Sequence, residues 1–190
     1  MCERMSVTLP LPPSVNNYQD YRVRKFGKRF RVEAYPTDDT KAFYHKALDI
    51  LEEEMFKQQW KTPLPEVFVE VEVDIYLRIA KSDADNYFKC TLDALEKSGV
   101  VVNDCFIIPK VNNVFIDKDN PRVELRIKKL EKTGIFLNEE EMEKFKENNC
   151  KECTRRRKTH CVIFKGFMEN RVHDLDEEGN CKHKKSYKDE

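Results

Sequence analysis

Several things are scarce in this 190-residue chain, and each scarcity excludes something. No apolar run approaches the ~20 residues a membrane-spanning helix needs, and Met1 to Pro13 hold no apolar stretch of signal-peptide length. The expected location is therefore the cytoplasm, with no membrane partner. Net charge is also absent: 35 basic residues face 35 acidic ones. The balance holds region by region, with 22 of each in residues 1–132 and 13 of each in residues 133–190. Any binding of a polyanion must then come from local patches. A reducing compartment also argues against a disulfide framework, so the seven cysteines read as thiols or metal ligands. What remains is a wet composition, 39% hydrophobic and 37% charged, whose clear apolar runs exclude wholesale disorder.

Those runs change period along the chain. Ser6 to Leu9 reads as a short strand halted by Pro10, Pro12 and Pro13, with Asn16 and Asn17 marking a loop. Residues 21–32 alternate about Gly27, which predicts a hairpin with an exposed basic face. Thr37 to Gln59 places Phe43, Ala47, Ile50, Leu51 and Met55 at helical spacing, with Asp38 or Asp39 as the expected cap. Val67 to Arg78 alternates strictly, a long strand with one mostly polar face. A second helix is expected over Asp85 to Ser98, with Phe88, Leu92 and Leu95 as its apolar stripe and Gly99 as its stop. Phe106 to Ile116 and Val123 to Leu130 read as two more strands. The mixture lacks regular alternation, so the expected class is α+β: a mixed sheet flanked by two main helices. Composition shifts beyond Lys132. A boundary near Gly134 separates residues 1–133 from 134–190, a charged helix (Asn138 to Asn148) followed by a small Cys-rich appendage.

The chemistry concentrates at Asp83-Ala84-Asp85-Asn86, where the long strand has ended and a helix begins. Asp85 can serve as the helix N-cap, Lys89 sits one turn up the same face, and Asp93 one turn further. If Val100 to Val102 packs back along the helix, Asp104 returns towards Asp83 and Asp85. Hard cations such as Mg²⁺ take oxygen ligands and keep waters, so two or three carboxylates suffice to hold one. Such an ion activates water for phosphodiester cleavage, and a neighbouring lysine meets the phosphate charge. Asp-x-Asp-Asn ahead of a helix is also ordinary turn and cap chemistry, and Lys89 can equally be a surface partner of Asp85 or Asp93.

Lys81 to Ile107, KSDADNYFKCTLDALEKSGVVVNDCFI, resembles the RusA family of Holliday-junction resolvases, common in phages and prophages. The pattern appears as Asp83, Asp85, Asn86, Lys89, Asp93-Ala94-Leu95, Gly99 and Asn103-Asp104, and Val7 to Tyr18 (VTLPLPPSVNNY) resembles the family's amino-terminal signature. The resemblance spans residues 5–130. It implies an α+β, RusA-like homodimer that binds four-way junction DNA. It also implies paired symmetric nicks made with Mg²⁺ or Mn²⁺, in DNA recombination and repair, in a bacterial or phage-infected cytoplasm. It makes Asp83, Asp85 and Asp104 metal ligands and Lys89 the active-site lysine. Asn103 departs from the pattern where some members carry Asp. The other readings are a branched-DNA-binding module without cleavage and a general branched or flap nuclease.

Arg22, Arg24, Lys25, Lys28, Arg29 and Arg31 interleave with Tyr21, Phe26 and Phe30 on the hairpin. Cations there can neutralise phosphates and aromatics can stack on unpaired bases, or the lysines and arginines can simply guard a solvated edge. Asn16 and Asn17 can reach backbone phosphates. In the appendage, Cys150, Cys153, Cys161 and Cys181 can complete a tetrahedral Zn²⁺ site, with His160 or His183 as alternatives. Arg155, Arg156, Arg157 and Lys158 lie between the cysteines and suit phosphate contact. The alternative is a disordered basic tail. Cys2, Cys90 and Cys105 read as buried or incidental thiols, and His45 as a helix-surface residue.

Overall fold

Strict alternation in Val67–Leu77 produces the central strand of a four-stranded sheet. The computed structural model describes residues 3–65, 67–157 and 161–185, and only the backbone of residues 156 and 157. Cys2, Lys158, His160 and the side chains of Arg156 and Arg157 lie outside the described residues. The strands are β1 (Arg4–Pro10), β2 (Gln19–Phe26), β3 (Arg29–Pro36), β4 (Val67–Leu77), β5 (Ile107–Ile116) and β6 (Arg122–Thr133), and the long helices are α1 (Asp38–Lys57) and α2 (Phe88–Lys97). The sheet order is β1-β6-β4-β5, with β1 antiparallel to β6 and β5 parallel to β4. The fold is α+β. Its chain separates into two compact units, Met1–Pro65 with Val69–Lys129, and Glu66–Phe68 with Leu130–Glu190.

Register explains the core of the first unit. Met5 pairs with Ile127, Val7 with Leu125 and Leu9 with Val123, so apolar partners share one face. Val69, Val71, Val73, Ile75 and Leu77 of β4 extend that face, and Phe43, Ala47 and Leu51 of α1 with Ala94 and Leu95 of α2 complete the cluster. Each buried aliphatic side chain contributes about 1.5–3 kcal/mol relative to exposure. The opposite face is a polar ladder. Arg126 bridges Glu72 at 3.1 Å and Asp74 at 2.8 Å, and Asn112 and Asn113 donate to the same carboxylates at 3.0 and 2.8 Å. The hydrogen-bonded Arg126 guanidinium holds the Asp74 carboxyl below its ordinary range.

Two expected caps are corrected. Thr37, not Asp38 or Asp39, caps α1, its Oγ1 accepting from Thr40 N at 3.3 Å. Thr37 has the extended backbone a cap needs, while the aspartates already lie in the first turn and complement the helix dipole. Asp85 does not cap α2 either. Asp83 precedes a single 3-10 turn, Ala84–Tyr87, which places Asp85 inside the turn and delays α2 to Phe88.

In the second unit, α3 (Glu139–Cys150) is capped by Asn138, whose Oδ1 accepts from Glu141 N at 2.9 Å. A further helix, α4 (Val162–Met168), forms where the sequence suggested no element. Phe145 packs against Phe136 and Phe167 at 5.2 Å each, and Phe164 stacks 6.1 Å from Phe136. Gly134, at φ +59°, lets its backbone lie against Phe167 and Met168, where a Cβ would stand 2.2 Å from the Phe167 carbonyl oxygen.

Candidate active site

β4 ends at Leu77, and Arg78 to Ala80 continue into solvent. The loop turns at Ser82, whose N–H donates to Ile79 O at 3.4 Å, and the 3-10 turn follows, with Asn86 N donating to Asp83 O at 3.3 Å. Asp83, Asp85 and Lys89 are all exposed. The 3-10 turn and the start of α2 thus present two carboxylates and an amine without burying any of them.

Lys89 is held from behind. Its Nζ bonds Asp93 Oδ1 at 3.3 Å, and Asp93 is 8% exposed. The Tyr18 hydroxyl donates to Asp93 Oδ2, as does the Tyr44 hydroxyl at 3.2 Å. Burial would raise the Asp93 carboxyl, but hydrogen bonding from Tyr18 and the charges of Lys89 and Lys97 bring it below its ordinary range. The same knot pushes Tyr18 up to about 12, burial first and the carboxylate second, and raises Tyr44 as well. Burial lifts the neighbouring Cys90 thiol to about 11, so it is a core group and not a nucleophile. The sequence placed Asp93 near Lys89, but nothing in it could pair Asp93 with Tyr18, 75 positions away.

Asp104 is presented differently. Gly99, at φ +77°, ends α2, and Val100 N turns back onto Leu95 O at 3.0 Å. Val100 and Val101 then enter the core, where Trp60 Nε1 donates to Val100 O at 3.0 Å. Asn103 Oδ1 accepts from Cys105 N at 2.9 Å and nucleates the exposed 3-10 turn Asp104–Phe106. Because an aspartate offers the same acceptor, Asn103 keeps the turn while dropping a charge. That turn packs on α2. β5 then starts beside Val69, at the beginning of β4, and ends beside Leu77. Asp83 and Asp85 follow the far end of β4, whereas Asp104 precedes the near end of β5. The valine run is drawn into the core at the end of α2, so Asp104 is carried by a turn packed on that helix. Among the described residues, no three His, Cys, Asp or Glu side chains are gathered to hold one ion.

The hairpin β2–β3 turns at Gly27-Lys28, with Phe26 paired to Arg29 and Gly27 at φ +61°. Its register separates two faces. Arg22, Arg24, Phe26, Arg29, Arg31 and Glu33 share one; Tyr21, Val23, Lys25, Phe30 and Val32 share the other. Arg22 and Arg24 both bridge Glu33, at 3.3 and 3.2 Å, so part of the basic charge is neutralised internally. Lys25, Lys28 and Arg29 make no ion pair among the described residues. Tyr21 and Phe30, the aromatics expected to be free to stack, are each 70% exposed, and Val23 and Val32 lie open beside them. The hairpin's base is bolted down: Thr37 Oγ1 donates to Asn17 O and Thr40 Oγ1 to Tyr18 O, both at 2.9 Å. Asn16 and Asn17 are exposed in the turn Val15–Asn17. A wide groove of about 700 Å³ runs beside them, lined by Pro12, Asn17, Lys46, Arg78, Ser82 and Tyr87 among others. Lys46 and Arg78 are cations that reading the sequence did not single out.

An exposed acidic turn with an anchored lysine, in a fold that also carries a basic hairpin, suits a protein that handles nucleic acid. The chain matches the family Endodeoxyribonuclease RusA over residues 10–128, and it belongs to that family of junction-resolving endodeoxyribonucleases. The match takes in most of the first unit together with Glu66–Phe68 of the second, and it ends before Leu130, so the Cys-rich stretch carries none of it. No curated protein matches the chain. No described helix is long and apolar enough to cross a membrane.

Proposed function

We propose that the protein resolves Holliday junctions as a homodimer, cutting two strands symmetrically with Mg²⁺ or Mn²⁺ in DNA recombination and repair. The observation that carries this reading is the placement of the carboxylates at opposite ends of the β4–β5 pair. β5 is the sheet's edge strand, and Val111, Val114, Phe115 and Ile116 are exposed along it. Antiparallel pairing of β5 with a second copy brings the start of one β5 beside the end of the other. Asp104 of one chain then approaches Asp83 and Asp85 of its partner, twice over, which yields two equivalent sites.

The donor set suits a hard cation, since all three groups are exposed carboxylates with room for retained waters. When bound, such an ion activates water and neutralises charge developing on the phosphodiester. Asp83, Asp85 and Asp104 would hold it. Lys89, aimed by Asp93, meets a phosphate oxygen electrostatically. Lys25, Lys28 and Arg29 neutralise the arms' phosphates, with Asn16 and Asn17 at the hairpin base. Tyr21 and Phe30 offer stacking surfaces to bases unpaired at the crossover.

A four-way junction assay with Mg²⁺ should show symmetric nicks, reduced by Asp85→Asn about 10²–10³-fold, the scale of removing one preorganised charge-stabilising group. Asp85 is exposed, so folding should be unchanged. Mixing inactive Asp85→Asn and Asp104→Asn chains should restore nicking of one strand, because a shared dimer regenerates one intact site. Failure to restore would refute the shared site. Val114→Asp should give a monomer that binds without cutting. The dispersal of the carboxylates within one chain favours, as a second reading, a junction-binding protein that never cuts. Binding without nicks in either metal would establish that instead, and equal cleavage of flaps would establish a general branched-DNA nuclease.

A further inference from the structure

Two cations of the first unit stand apart from the hairpin. Lys46 and Arg78 are exposed, and neither makes an ion pair among the described residues. Both line the groove of about 700 Å³ that opens beside Asn17. They come from different elements: Lys46 lies on α1, and Arg78 follows the last residue of β4. The walls are held in place. Three prolines between Pro10 and Pro13 fix the backbone of one wall, and Leu11 N donates to Pro121 O at 3.3 Å. α1 packs on β1 and α2, which steadies the helix that carries Lys46.

The groove borders the acidic turn. Ser82 and Tyr87 line it, and they bracket the stretch that carries Asp83 and Asp85. The turn Val15–Asn17 packs against that same stretch. A ligand lying in the groove therefore lies beside the two carboxylates. The lining is of two kinds. Leu11, Pro12, Phe43 and Ile79 make much of it apolar, and Ile79 is 57% exposed. Lys46 and Arg78 supply positive charge, against one lining carboxylate, Asp39. Asp39 is two turns before Lys46 on α1, about 10 Å along the axis, too far to neutralise it by contact. Intact duplex matches this mixture poorly, because its bases are stacked inside and only sugar and phosphate face outward. An unpaired strand matches both parts, with bases for the apolar surface and phosphates for the cations.

We infer, on the junction-resolving reading, that the groove seats an unpaired strand of the junction as it passes the acidic turn, with Lys46 and Arg78 each meeting a phosphate. Both are positioning residues, distinct from the hairpin cations that meet the arms. Two phosphate contacts from separate elements fix the course of the strand. They bring the next phosphate beside Asp83 and Asp85, and such placement lowers the barrier to cleavage.

Equilibrium binding of a four-way junction to the full-length protein, titrated with salt and with Ca²⁺ replacing Mg²⁺, tests the groove apart from cleavage. Lys46→Gln with Arg78→Gln should lower the slope of log affinity against log salt by about 1.4, two single-strand contacts at about 0.7 each. Both residues are exposed, so melting should not move. Lys57→Gln with Lys144→Gln removes equal charge from ion pairs elsewhere and should leave the slope unchanged. A neutral methylphosphonate walked along the strand beside the crossover should weaken wild-type binding at the contacted positions. It should cause no further loss there in the groove variant, because both changes remove the same contact. An unpaired oligonucleotide should bind the groove variant more weakly than wild type, while a duplex of equal length binds both alike. An unchanged slope, or losses that add at every position, overturns the groove. So does duplex binding that falls as far as single-strand binding, which would seat an intact arm there. Cleavage with Mg²⁺ is read separately. Nicking with an unchanged slope removes the groove and keeps the nuclease; a lowered slope without nicks keeps the groove and removes the nuclease.

Discussion

The two units solve the same problem by different means. The first buries a continuous apolar face, from Met5 through the β4 valines to Ile127, and leaves Asp83, Asp85, Lys89 and Asp104 exposed. The second buries few apolar side chains and arranges thiols, a buried asparagine and a buried aspartate around short turns. The lesson is that a core of sufficient size frees polar residues for function, whereas a small unit must spend them on cohesion. The family match runs close to this division, since it takes in most of the self-sufficient unit and only Glu66–Phe68 of the other.

The contrast can be broken most sharply at its glycines. Gly134→Ala forces a Cβ onto the Phe167 carbonyl at φ +59°, and should cost the second unit about 3 kcal/mol or more through overpacking and left-handed strain. Gly27→Ala meets no atom within 4 Å, so only the strain of φ +61° remains, about 1–2 kcal/mol and local to the hairpin. Hydrogen exchange should show loss of protection confined to residues 130–185 in the first case and to the hairpin in the second. A global loss in either would deny that the units are separately held.

Asp93→Asn tests whether polar residues in the first unit serve position rather than cohesion. It should cost about 1–3 kcal/mol, the penalty of an impaired buried hydrogen-bond network. It should also lower kcat with KM little changed, because Lys89 loses its anchor. The folded Asp93 carboxyl lies below its unfolded value, so its stabilisation is present above the ordinary Asp range, about 3.9, and is lost as pH falls through the depressed folded value. Urea melts from neutral pH downward should therefore show a shallower acid slope in the variant. The tyrosines work in the opposite direction. Tyr18, raised to about 12, stabilises fully below its ordinary value and loses that contribution as pH climbs towards 12.

The smallest effect is expected at the hairpin. Lys25→Ala with Lys28→Ala should leave melting unchanged and weaken junction binding evenly across sequences. The slope of log affinity against log salt should fall by about 0.9 for each phosphate contact removed. An unchanged slope would return those lysines to the role of solvated edge guards.

Much of this was legible without coordinates. Two-residue alternation marked β4, helical spacing marked α1, and the order of Asp83, Asp85, Lys89, Gly99 and Asp104 pointed to the family, because local periodicity and short-range motifs depend on neighbours a few positions apart. The cap of α1 fell at Thr37, one or two residues before the expected aspartates, since Asp, Ser and Thr compete for such positions and backbone geometry chooses among them. α4 escaped notice because seven residues carry too little period to read. The sequence by itself determined the period of the main elements, the order of the motif that marks the family, and a shift of composition beyond Lys132. Only the tertiary structure decided that Tyr18 and Tyr44 brace Asp93 behind Lys89, that the cysteine turns of the second unit are stitched together, and that the chain enters β5 after Asp104 at the opposite end of the β4–β5 pair from the one that leads to Asp83. Those facts rest on strand register and on contacts between residues far apart in the chain, where no local pattern constrains the outcome.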